Sequence, residues 1–108
     1  MQRKTNFIAA IRSRQLVQMH YRSKKSGAVE NRICAPLDFG LSRRVGDGVD
    51  RYHFWDYEGS RGGHVASIEA PEVVRVDVID RQFDPNDIVK WNVTQSPWHV
   101  ARDWGLLS

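Results

Sequence analysis

Cysteine is nearly missing from this chain: Cys34 is the one thiol in 108 residues. A single cysteine excludes an internal disulfide framework and fits a reducing compartment, so a cytoplasmic location is expected. Long apolar runs are also missing. Nothing approaches the ~18 residues a membrane helix needs, and no secretory-type apolar core follows Arg3-Lys4. Acidic residues are absent before Glu30. Residues 1–51 hold 11 Lys/Arg against 4 Asp/Glu, whereas residues 52–108 hold 5 against 9. A basic half of this kind attracts phosphates, or it is simply a solvated surface.

The signatures of several chemistries are absent too. There is no Gly-x-Ser-x-Gly, no phosphate-binding loop and no dinucleotide fingerprint. His20, Cys34, His53 and His64 have no metal-ligand spacing, so neither a metal nor a cofactor is expected. Cys34 lies among apolar neighbours, where a thiol is usually inert. The chain is therefore read as non-enzymatic.

What is present is mostly β. A short helix is predicted over 6–14, capped by Thr5 or Asn6, with Phe7, Ile8 and Ile11 as its docking face. Leu16 to Arg22 then alternates, with Val17, Met19 and Tyr21 on one face. Lys24-Lys25-Ser26-Gly27 turns the chain into a second strand from Val29, which Pro36 should end. Residues 38–50 read as a loop. An aromatic strand follows at 51–57, then a glycine turn at 59–63 and a strand at 64–68. The last strand, 73–79, should place Val74, Val76 and Val78 inward. Five short strands after one helix predict a mainly β domain: an SH3-like or Sm-like barrel over 16–80 with a C-terminal extension over 83–108. A short helix is expected after Asp84-Pro85. Trp98 and Trp104, in a stretch without period, should pack back onto the barrel.

The aromatic strand Arg51-Tyr52-His53-Phe54-Trp55-Asp56-Tyr57 is the most informative segment. Tyr52 and Phe54 can enter a core, while His53, Trp55 and Tyr57 face the other way with flat rings and polar tips. Arg32, Arg51 and Arg61 could converge beside His53 and Trp55 as an anion-and-base platform. Arg43 and Arg44 lie in a loop, where ligand contacts often sit. His53 and His64, on strands expected to pair, could read a phosphate. The candidate ligand-binding residues are Tyr21, Arg32, Arg51, Tyr52, His53, Trp55, Arg61 and His64.

The order of the segments resembles the WYL domain family of bacteria over residues 7–85. Ala9-Ala10-Ile11 leads into Leu16-Val17-Gln18-Met19-His20-Tyr21; Arg32-Ile33-Cys34-Ala35-Pro36 is similar to the family's arginine strand ending in proline. Tyr52-His53-Phe54 looks like the naming triplet, and Phe83-Asp84-Pro85 like the Phe-x-Pro ending. Ser67 and Pro71-Glu72 stand where the family carries arginines, and neither serine nor glutamate can supply an arginine fork. The resemblance implies a free-standing, divergent sensor or a fragment of one. Such a domain binds a nucleotide, short single-stranded nucleic acid or small anionic effector and regulates transcription or an enzyme. The alternative is a protein-interaction or self-assembly module using the tryptophan-rich tail and the barrel edges.

Overall fold

A computed structural model describes residues 2–58 and 63–108. Helix α1 (Arg3–Ser13) precedes β1 (Gln15–Arg22), β2 (Val29–Leu41), β3 (Asp50–Asp56), β4 (His64–Glu69) and β5 (Val73–Gln82). The strands form one antiparallel sheet in the order β4-β3-β2-β1-β5. The fold is thus mainly β with one N-terminal helix, but the expected closed barrel is not formed. No ladder joins β4 to β5 among the described residues, and the sheet is open. It must nevertheless coil. β4 and β5 lie at opposite edges, yet only Ala70–Glu72 connects them. Four residues span at most about 14 Å, whereas flat edges would stand about 19 Å apart.

The hydrophobic pattern explains where the core sits. Val17, Met19 and Tyr21 are buried on one face of β1, as alternation requires. They meet Cys34 of β2, Tyr52 and Phe54 of β3, and Val73 and Val76 of β5. Helix α1 closes this layer with Phe7, Ala10 and Ile11, and Phe7 stands edge-on to Tyr52 at 4.9 Å.

Local signals misled at four places. The helix begins at Arg3, because Thr5 and Asn6 do not cap it. Instead Asn6 Nδ2 donates to the Val76 carbonyl at 3.3 Å, and an Arg3 guanidinium nitrogen donates to the Val73 carbonyl. These bonds also blunt the free edge of β5. β2 does not stop at Pro36. It runs on to Leu41, because a bulge falls between Pro36, opposite Phe54, and Asp38, opposite His53. A bulge is where a strand tolerates a residue without an N–H. In β5, Val73 and Val76 are buried while Val74 and Val78 are about two-fifths exposed, at 41% and 42%. An irregularity opposite His20 and Tyr21 shifts the alternation, and β5 is the last strand of the sheet. After Asp84 there is only a single 3-10 turn, Pro85–Asp87, rather than a helix.

The bulge in β2 has a further effect. The extra residue puts Asp38 on the same face as His53, opposite the core, where the C-terminal tail lies. Asp38 is buried and accepts from His99 N at 2.9 Å, Val100 N at 3.0 Å and Arg102 Nη2 at 3.2 Å. The Arg102 side chain is fully shielded, and its guanidinium also donates to the Leu37 carbonyl. It stacks between Trp98, 3.9 Å from the ring centroid, and Trp104, at 4.4 Å. Trp104 Nε1 donates to the Ile11 carbonyl at 2.9 Å, and Trp98 Nε1 to the Leu107 carbonyl at 2.7 Å. The tail therefore packs back on the sheet and the helix end, as its tryptophans predicted.

Removing one member of a buried pair leaves the other charged and unsolvated. Arg102→Met should lower the unfolding free energy by about 3–5 kcal/mol in urea titration. The double change Asp38→Asn, Arg102→Met should recover part of that loss.

Candidate functional site

The two faces of β3 separate as its alternation requires. Tyr52, Phe54 and Asp56 turn to the core side and are buried. His53 and Trp55 occupy the other face and are half-buried. His53 is fixed by two contacts: Nε2 lies 3.1 Å from the Gly40 carbonyl and Nδ1 2.7 Å from Ser67 Oγ. A carbonyl only accepts, so Nε2 carries the hydrogen and Nδ1 accepts from the serine hydroxyl. Burial holds the His53 imidazole below its ordinary pKa, although the Gly40 carbonyl pulls the other way. Trp55 is approached so closely by Gly63 that a Cβ there would lie 2.7 Å from its Nε1.

The expected cationic platform is not assembled. Arg32 pairs across β1 with Met19 and so belongs to the core-side face, where Glu30, Asp56 and Glu58 hold it at 3.3, 3.6 and 3.7 Å. Arg51 belongs to the His53 face. It forms a two-pronged contact with Asp47, at 3.0 and 2.8 Å, and reaches Glu69 at 3.3 Å. This fork holds the Asp47 carboxyl well below the usual carboxylate range. Arg61 lies outside the described residues, as does the glycine turn over 59–62. His53 stands opposite Ser67 and His64 opposite Asp56, so the two histidines fall on opposite faces and are not neighbours. Tyr52 is a core residue between Phe7 and Phe39.

Two concavities take in the expected residues. The first is a groove of about 200 Å³ on the His53 face. The loop after β2 brings Arg43 and Arg44 to it, β3 and β4 bring His53 and Ser67, and the docked tail brings Trp91, Trp98 and His99. His99 packs tightly on Gly40: a Cβ there would sit 2.7 Å from the His99 ring. His99 Nε2 donates to the Leu41 carbonyl at 2.9 Å. The one carboxylate in the lining, Asp38, is already engaged by Arg102 and two backbone N–H groups. Arg43 donates to the Pro97 carbonyl at 2.8 Å, and neither Arg43 nor Arg44 has an ion-pair partner among the described residues.

The second is a cleft of about 390 Å³ between the β1–β2 hairpin and β4. Tyr21, Arg51 and His64 meet here, so this is where three of the expected residues come together. Its charges are balanced: Arg22, Lys24, Lys25 and Arg51 face Glu30, Asp56, Glu69 and Glu72. Ser67 and Glu72 both line it. The contributions of Trp91, Trp98 and His99 to the first groove were not foreseen. The only sequence signal for them was two tryptophans in an irregular stretch.

Other chemistry finds little footing. Cys34 is buried, and desolvation pushes its thiol far up. Among the described residues no group of three or more His, Cys, Asp or Glu side chains could hold a metal ion. No helix is long and apolar enough to cross a membrane. No protein-family model matches the chain, and searches of curated proteins and of solved structures return no significant match.

The lowered pKa of His53 sets a pH window. The native ring is neutral, so the unfolded chain takes up its proton first. The stability it contributes is complete above the unfolded value of ~6.5 and is lost as pH falls through the lower native value. The depressed carboxylates Asp47, Glu69, Asp77 and Asp84 act only further down, below about pH 4.5. His53→Gln should therefore flatten the fall of Tm that begins at about pH 6.5, and leave the acid limb below about pH 4.5 unchanged.

Proposed function

We propose that this chain is a non-enzymatic binding module for single-stranded nucleic acid, engaged through the groove on the His53 face. One observation carries this reading: among the described residues, two guanidinium groups without carboxylate partners flank two indole rings, and no free carboxylate lines the groove. Cations track a phosphate backbone, and aromatic faces stack bases regardless of sequence. A groove of about 200 Å³ is small for an enclosed ligand. It suits a strand that crosses it and seats one base and its phosphate. His99 adds a ring at the same rim.

Two further features support the reading. The resemblance to WYL domains assigns a sensor role for ligands of this class. The meander with β5 returned to β1 is also the strand order of an SH3-like or Sm-like barrel, so the coiled sheet is proposed as an unclosed form of that architecture. Relative to the WYL pattern the binding cations have moved, from the lost arginines at 67 and 72 to Arg43 and Arg44.

A fluorescently labelled thymidine hexamer should bind at low salt and be released steeply as salt rises, read by anisotropy. Arg43→Ala with Arg44→Ala should weaken binding and reduce the magnitude of the log–log salt slope by about 0.7 for each phosphate no longer neutralised. Trp91→Ala, at a half-exposed ring, should cost about 1–3 kcal/mol of binding. Absence of low-salt binding by the wild-type chain across several oligonucleotide lengths would overturn the proposal.

A further inference from the structure

The cleft between the β1–β2 hairpin and β4 has a different chemistry from the groove and points to a different ligand. Tyr21 forms its inner wall. Its residue is only 7% exposed and its ring packs on Phe54 at 5.9 Å. Its phenol makes no hydrogen bond among the described residues, and its oxygen is open to solvent on the cleft wall, within reach of a ligand.

The charges around it divide into engaged and free. Glu30 and Asp56 are taken by Arg32, at 3.3 and 3.6 Å. Glu69 is taken by Lys24 at 2.6 Å and by Arg51 at 3.3 Å. The carboxylate of Glu72 and the heads of Arg22 and Lys25 have no ion-pair partner among the described residues. Free charge of both signs therefore faces one cavity whose base offers an unused hydroxyl. A polyanion would meet four carboxylates there, and a cation four positive heads. A small molecule carrying both charges meets a partner for each. The volume of about 390 Å³ falls within the usual range for small-ligand sites of about 300–1,000 Å³.

We infer that this cleft is a second site, independent of the nucleic-acid groove, for a small zwitterion of the free α-amino acid class. Its carboxylate lies toward Arg22 and Lys25, its ammonium toward Glu72, and the Tyr21 hydroxyl bonds one of the two. Burial raises the pKa of Tyr21, which keeps the hydroxyl protonated and available as a donor at neutral pH.

The test is an amide-resolved NMR titration of the whole chain with each free L-amino acid at millimolar concentration. At least one should shift the amides around Tyr21, Lys25 and Glu72 saturably. Its N-acetyl and carboxamide derivatives, each lacking one charge, should bind about tenfold or more weakly. Tyr21→Phe keeps the ring against Phe54 and should weaken binding about tenfold. Glu72→Gln, on the cleft rim, provides a second variant should the first be poorly folded, and should weaken binding likewise. No saturable shift with any amino acid, equal binding of the singly charged derivatives, or unchanged affinity in both variants would overturn the inference. Oligonucleotide binding measured on the same two variants should be unchanged, so failure of one site is distinguishable from failure of the other.

Discussion

The Asp38–Arg102 contact is the constraint on which the rest of the molecule depends. It joins a strand bulge to an otherwise irregular tail through a carboxylate that also accepts two backbone N–H groups. Burial pulls the Arg102 pKa down to about 10, against the opposing pull of Asp38. A buried ion pair adds little net stability by itself, because desolvation offsets most of the attraction. Its value here is geometric. With Arg102 stacked between two indoles, the tail has one place to lie, and Trp91, Trp98 and His99 are delivered to one groove.

The two described arginines of the expected platform are consumed internally. Arg32 and Arg51 stand on opposite faces of the sheet, each held by carboxylates supplied mostly from the acidic second half of the chain or its adjoining loop. The contacts of Lys24 and Arg51 with Glu69 also tie the first hairpin to β4 and help the open sheet hold its coil. The number of cations therefore says little about ligand binding. What matters is which cations are left over and what surrounds them. In the groove the remainder is positive and bordered by rings. In the cleft it is mixed and bordered by a phenol. The two concavities suit different ligands for that reason.

The backbone was largely legible from local pattern. Period-two alternation located β1 and the faces of β3 to within a residue or two, because burial on one side of a pleat leaves a direct trace in sequence. Pro36 and the valines of β5 misled for the same physical reason. A bulge in β2 and an irregularity in β5 each break the period-two ladder, which moves burial from Val74 to Val73, while Val78 is exposed because β5 is a sheet edge. The start of α1 misled because its first turn is satisfied by β5 carbonyls rather than by a cap of its own.

The sequence by itself determined the order of one helix and five strands, the core-facing residues of the first and third strands, the burial of the lone thiol and the inward packing of the tail tryptophans. These follow from periodicity, composition and the cost of leaving indoles in water. Only the tertiary structure decided which arginines were already paired, that His53 and His64 face apart, and that Arg43, Arg44, Trp91 and Trp98 share a groove. Such proximity is set by register and by long-range contacts such as Asp38 to Arg102. That contact joins residues 64 positions apart, and nothing in the local composition of either segment encodes it.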